Sequence, residues 1–179
     1  MIDVKDNFLL PKDFKSLQNL LMGGTVDWHT STVLSGQSAI RDGIPNPSEI
    51  DCTEDENWQL QHWFYINDQP SSNYWEGIIP LLETLGHGGK IRSLIKIKAN
   101  LNPSTHKHIR HGFHQDYPYK ESTTSILYVN TNNGWTEFED GTKVESVANR
   151  LVTFPTMTKH SGVTSTEGKF RVVININYF

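Results

Sequence analysis

At 179 residues the chain is long enough to bury a core as one domain, and 36% hydrophobic with 20% charged residues suits a soluble globular protein. A formal charge of −4 gives no global case for binding nucleic acid or an anionic membrane, and no apolar run approaches the roughly 20 residues of a membrane span. Cys52 is the single cysteine, which excludes an intrachain disulfide and a thiolate zinc cluster and fits a reducing, cytoplasmic setting.

The opening MIDVKDNFLLPKDF carries acids where a signal peptide would be basic. Pro11 then starts a helix over 12–21, with Phe14, Leu17, Leu20 and Leu21 at helical spacing and Gly23-Gly24 as its stop. Residues 28–70 mix Trp28, Trp58, Trp63, Phe64 and Tyr65 with Pro, Asn and Asp, which reads as loop with short strands. A second helix is expected over 72–85, where Trp75, Ile78, Ile79, Leu82 and Leu85 form one apolar stripe and Pro80 falls in the middle as a kink.

From Ile91 the period changes to two. Ile91, Ser93, Ile95, Ile97 and Ala99 share one face, and Arg92, Leu94, Lys96 and Lys98 share the other. A loop rich in His, Pro and Tyr follows over 102–121. Strands are expected at 123–130, 135–138, 150–154 and 170–178, with turn signals at Asn132-Asn133-Gly134 and Glu139-Asp140-Gly141. Short, evenly spaced strands preceded by helices predict a mainly β sandwich or barrel with N-terminal helices on one face. In the last strand Val172, Ile174, Ile176 and Tyr178 form a complete apolar face that must be buried. Arg171, Val173, Asn175 and Asn177 then face either water or a polar chamber.

Chemistry concentrates at His114-Gln115-Asp116. In an extended segment residues i and i+2 point the same way, so an imidazole and a carboxylate converge on one ion. His160 offers a second imidazole. Two imidazoles and one carboxylate form the facial set that suits non-heme Fe(II), because three coordination positions stay open. Arg171, eleven residues after His160, would offer a planar, permanently charged partner to a carboxylate, with a hydroxyl from Tyr128 completing the clamp.

These motifs, with ILYVN, NRLVTFP, KHSG and FRVVININYF, resemble the prolyl-hydroxylase branch of the Fe(II)/2-oxoglutarate oxygenases. The longer pattern over 91–179 looks most like small phage-encoded oxygenases of marine viruses; the opening matches only loosely. The resemblance implies a double-stranded β-helix (a cupin-like jelly roll) in one oxygenase domain over 1–179. Residues 1–90 would be a helical and irregular support, and 91–179 the core. It implies iron held by His114, Asp116 and His160, and 2-oxoglutarate held by Arg171 and Tyr128 with O2 as the oxidant. Asn175 would lie beside the cosubstrate. Asn102 stands where prolyl hydroxylases commonly have a tyrosine facing it, a departure that bears on that side of the pocket. The implied reaction is hydroxylation of a peptidyl or amino-acid substrate, or another small molecule, with release of succinate and CO2. The alternatives are a cupin-like metalloenzyme of other chemistry and a non-catalytic jelly-roll binding module.

Other groups have blander readings. His106, His108 and His111 read as solvated loop residues near the pocket mouth. Lys90, Arg92, Lys96, Lys98, Lys107 and Arg110 read as an outer strand face and its loop, with steering of an anionic substrate as the alternative. The aromatics of 58–75 read as core in preference to a lid, and Trp135 as packing at the pocket rim.

Overall fold

The computed structural model describes residues 1–34, 39–41, 44–46 and 51–179. In chain order the strands are β1 (Asp3–Lys5), β2 (His29–Ser31), β3 (Ala39–Arg41), β4 (Ile44–Asn46), β5 (Gln59–Ile66), β6 (Gln69–Pro70), β7 (Leu94–Pro103), β8 (Thr123–Tyr128), β9 (Trp135–Phe138), β10 (Lys143–Glu145), β11 (Arg150–Pro155), β12 (His160–Val163) and β13 (Phe170–Tyr178). The helices are α1 (Pro11–Met22) and α2 (Ile79–Gly86). The main antiparallel sheet has the order β1-β11-β8-β13-β7-β5-β2, with β6 paired to β5. A smaller sheet, β10-β9-β12, faces it, and β3 pairs with β4. This is a jelly roll, mainly β with helices before the core strands.

The alternation read from the last strand sets the layers. Val172, Ile174, Ile176 and Tyr178 face outward from the roll, with Ile97, Ala99 and Leu101 of the neighbouring β7, onto Leu17 and Leu21 of α1 and Leu81 and Leu85 of α2. Each Val, Leu or Ile among them contributes about 1.5–3 kcal/mol by leaving water. Inside the roll, Ile126, Tyr128, Val152 and Val173 of the main sheet pack on Phe138 and Val144 of the smaller one.

Four expectations change. The stretch expected as loop with short strands holds the eight-residue β5 inside the main sheet. Its mixture of aromatic and polar residues hid an alternation whose inner side is itself polar. The second helix is two pieces, a 3-10 turn over Trp75–Ile78 and then α2. Pro80 lies in the first turn of α2, where no donor is needed, so it starts this helix instead of kinking it. The strand expected from Ile91 begins at Leu94 and runs on to Pro103. Lys96 and Lys98 are not on an outer face: Lys96 is 7% exposed, and Lys98 lines the chamber between the sheets. Among the described residues, no helix is long and apolar enough to cross a membrane.

Candidate metal centre

His114 and His160 sit opposite each other in an isolated antiparallel bridge. Each backbone N–H donates to the other's carbonyl at 3.0 Å, so the loop of 102–121 is tied to the edge of β12. Gln115 adds a second tie, its side-chain amide donating to the Met157 carbonyl at 2.6 Å. The histidine rings come within 4.5 Å, centroid to centroid. Asp116, two positions on, turns its carboxylate the same way. The ligand atoms of His114, Asp116 and His160 lie within 4.8 Å of one another.

The surroundings prepare each group for a cation. Nδ1 of His160 faces the Thr158 carbonyl at 3.0 Å and Nδ1 of His114 faces the Gly112 carbonyl at 3.5 Å. Protons held there leave each Nε2 lone pair for a metal. The ring of Phe154 stands edge-on to His160 at 4.7 Å and fixes its plane. Burial, helped by His160, pushes the pKa of His114 down to about 3, so this imidazole stays neutral. Burial works against charge on Asp116, but Lys96, both histidines and the hydrogen bond from Asn177 outweigh it and hold the carboxyl well below its usual range.

The carboxylate of Asp116 is split between two tasks. Oδ2 accepts hydrogen bonds from Thr124 Oγ1 at 3.0 Å, Asn175 Nδ2 at 3.1 Å and Asn177 Nδ2 at 2.9 Å. Oδ1 faces Nε2 of His114 at 3.8 Å. One oxygen is thus saturated, and Oδ1 is the one turned toward Nε2 of His114.

Arg171 lies on the same chamber, 3% exposed. Nε donates to Ser146 Oγ at 2.8 Å and one terminal nitrogen donates to Thr136 Oγ1 at 3.1 Å. Among the described residues no carboxylate lies within salt-bridge reach of it. A buried guanidinium in that condition is costly unless an anion joins it. The Tyr128 hydroxyl donates its one proton to Thr136 Oγ1 at 2.8 Å, with the Val144 carbonyl a more distant acceptor at 3.3 Å, and Tyr128 does not line the chamber. Burial raises its pKa, so it remains a donor. Thr136 therefore accepts from both Tyr128 and Arg171, and its own proton is left to donate into the chamber.

The chamber lies between the two sheets and opens to solvent. Asn102 and Asn175 both line it, Asn102 as the cross-strand partner of Arg171. Among the described residues, the Asn102 amide nitrogen and the side-chain oxygens of Asn100, Asn175 and Asn177 are buried without a hydrogen-bond partner. Unmet polar atoms of this kind point to a polar ligand. The two imidazoles and the carboxylate fit a divalent metal, and the buried Arg171 with the Asn102 N–H fits a small dicarboxylate, while the three amide oxygens call for hydrogen-bond donors such as water.

No family model matches the chain, and no curated protein matches it in sequence. Solved structures do match in fold. A prolyl hydroxylase from Trichoplax adhaerens, in complex with a hypoxia inducible factor oxygen degradation domain peptide, aligns with TM-score 0.60 and 18% identity over 99% of this chain and 83% of its own. The viral collagen prolyl hydroxylase of Paramecium Bursaria Chlorella virus-1, as its 2OG complex, aligns with TM-score 0.56 and 14% identity over 98% and 94%. The non-heme alpha ketoglutarate dependent epimerase SnoN from nogalamycin biosynthesis aligns with TM-score 0.60 and 13% identity over 99% and 77%. At such identities the likeness is one of fold.

Several site residues escaped the sequence reading. Thr136 was hidden in a four-residue strand, although its alternation with Trp135 and Glu137 turns it inward. Thr124, Ser146 and Gly134 act through contacts between distant elements and leave no local signal; Asn177 was placed on the polar face of the last strand, but not as a partner of Asp116. His111, expected to be solvated, is 3% exposed and lines the chamber, with Nδ1 3.3 Å from the Gly162 carbonyl. Burial lowers its pKa, so it is a neutral wall residue. His108 stays in the loop, its ring 4.7 Å from that of Trp135.

Proposed function

We propose that the chain is an Fe(II)- and 2-oxoglutarate-dependent dioxygenase, one domain over 1–179, that hydroxylates a peptidyl or amino-acid substrate in the manner of prolyl hydroxylases. The observation that carries this reading is the pairing, on one chamber, of the His114–Asp116–His160 cluster with the buried, acid-free Arg171. The solved structures that share its fold include prolyl hydroxylases and an alpha ketoglutarate dependent enzyme, which supports the same reading. The kinship to phage-encoded oxygenases stands on the sequence pattern of 91–179.

In this reading Nε2 of His114, Nε2 of His160 and Oδ1 of Asp116 hold the iron. Arg171 and the Thr136 hydroxyl take the distal carboxylate of 2-oxoglutarate, with Tyr128 fixing Thr136 from behind. Asn102 offers its unmet amide N–H to the rest of the cosubstrate, and Asn175 lies beside it on the same wall. With O2, the bound iron and 2-oxoglutarate supply the oxidising power, giving succinate, CO2 and one oxygen atom for the substrate. The chain's own part is to keep the His114 imidazole neutral, turn Oδ1 of Asp116 toward the metal position, and bury the Arg171 guanidinium for the cosubstrate.

The test is succinate release from 2-oxoglutarate by purified protein with Fe(II) in air. Release should require the metal and should vanish in Asp116→Ala. Arg171→Ala should raise the 2-oxoglutarate concentration needed. A metalloenzyme of other chemistry does not need Arg171, so activity untouched by Arg171→Ala would contradict the reading.

A further inference from the structure

One buried histidine has no part in the metal centre. His62 lies on β5 opposite Ala99 of the outer core, so it faces away from the chamber that Gln59 lines on the same strand. The ring is 6% exposed and sits among Trp28, Phe64 and Tyr74. Nδ1 is 2.8 Å from the Asp27 carbonyl oxygen, and Nε2 is 2.8 Å from Ser72 Oγ. A carbonyl only accepts, so Nδ1 carries the proton. Nε2 of the neutral ring is then a lone pair, and the Ser72 hydroxyl donates to it. Ser72 Oγ also accepts from the Tyr74 N–H at 2.9 Å. A serine that only capped the turn over Trp75–Ile78 would use that acceptor role alone. Here its proton is aimed at a base whose other nitrogen is fixed. A nucleophile, a base and a group that orients the base, each within hydrogen-bond distance of the next, is the arrangement that activates a serine.

Ser72 and His62 both line a pocket that opens to solvent, with Trp63, Ile66 and Tyr74 as apolar wall. Among the described residues the backbone N–H of Asn73, directly after Ser72, has no acceptor, which leaves a donor for an oxyanion. Among the described residues lining the pocket there is an acid, Asp27, and no lysine or arginine, so nothing there answers an anionic guest.

We propose that Ser72 and His62 form a second catalytic centre, independent of the metal, that hydrolyses neutral carboxylic esters. Ser72 Oγ bonds to the ester carbonyl carbon as its proton passes to Nε2 of His62. The carbonyl electron pair moves onto its oxygen, where the Asn73 N–H meets the charge. Collapse breaks the ester C–O bond, and Nε2 gives its proton to the leaving alcohol. Water then attacks the acyl-serine by the same route: Nε2 takes the water proton, returns it to Ser72 Oγ, and the free acid departs. The Asp27 carbonyl holds the ring in place through both steps.

The experiment treats the purified protein, with Fe(II) and again with a chelator in its place, with a fluorophosphonate probe, and follows p-nitrophenyl butyrate hydrolysis in parallel. Mass spectrometry should find the probe on Ser72, and neither labelling nor hydrolysis should depend on the metal. Ser72→Ala should abolish that labelling and slow hydrolysis at least about 100-fold. His62→Gln should slow labelling of Ser72 by a similar factor. Circular dichroism reports whether each variant is folded, and Ser72→Ala, which leaves the buried ring in place, keeps the test decisive if His62→Gln does not fold. The inference is overturned if folded wild-type protein is not labelled at Ser72, if Ser72→Ala hydrolyses the ester at the wild-type rate, or if folded His62→Gln is labelled as fast as wild type.

Discussion

Asn177 donates its side-chain amide to Oδ2 of Asp116 at 2.9 Å, across 61 positions of chain, and to the hydroxyl of Thr124 at 2.8 Å. The last strand thus reaches into the first coordination position and decides which oxygen of Asp116 is left to ligate. Thr124, itself bonded to Oδ2, closes the triangle.

Removing that support should loosen the metal without unfolding the protein's core. Asn177→Leu or Thr124→Val should weaken Fe(II) or Co(II) binding about 10- to 100-fold. Calorimetric titration measures it, and the Co(II) absorption spectrum should change as Asp116 gains freedom. Unchanged affinity in both variants would mean that Asn175 and the backbone suffice to hold Asp116.

Thr136 is the joint of the carboxylate clamp. Thr136→Val keeps the shape and removes the acceptor used by both Tyr128 and Arg171. Arg171 loses a buried acceptor and Tyr128 is left with the more distant Val144 carbonyl, so stability should fall by about 1–3 kcal/mol. Affinity for 2-oxoglutarate should fall by about tenfold or more, read by equilibrium titration. Tyr128→Phe should cost less affinity, since Arg171 and the Thr136 hydroxyl remain.

Gly134 is required for space. A Cβ there would lie 2.8 Å from the Val163 carbonyl, 2.9 Å from Asn132 Oδ1 and 2.9 Å from Cδ of Arg171. The backbone neighbour cannot yield, so Gly134→Ala should displace the arginine stem. We expect a loss of about 1–3 kcal/mol in urea unfolding together with weaker 2-oxoglutarate binding. Stability lost with affinity intact would place the strain away from Arg171.

The metal-free protein should be acid-sensitive from near neutrality. His114 titrates near 3 when folded, against an ordinary 6.5. Below 6.5 the unfolded chain takes up a proton that the folded chain refuses, so stability declines as pH falls from 6.5 toward 3. The slope is about 1.4 kcal/mol per pH unit, or about 2 kcal/mol lost by pH 5. Asp116, whose pKa is also depressed, adds to the decline only below its ordinary 3.8. Urea unfolding at pH 7 and pH 5 measures this, and His114→Gln should show a smaller loss between the two.

What the sequence made legible followed from periodicity and from residue type. The apolar face of β13 had to be buried, and that one requirement placed Arg171, Asn175 and Asn177 together on the other side. His-Gln-Asp announced two ligands because extended geometry aims i and i+2 alike. Alternation could not say which side of β7 met water, so Lys96 and Lys98 were assigned outward. Their inner position depends on β5, whose mixed residues masked it as a strand. Thr136, Ser146 and Gly134 matter through contacts with a distant arginine, and no local pattern encodes such contacts.

The most direct test is an anaerobic titration of the protein with Fe(II) and then 2-oxoglutarate. The account predicts a visible charge-transfer band that saturates at one cosubstrate per iron, is lost in His114→Ala and in Asp116→Ala, and needs far more 2-oxoglutarate in Arg171→Met. Well-folded wild-type protein that binds Fe(II) and gives no such band would contradict it.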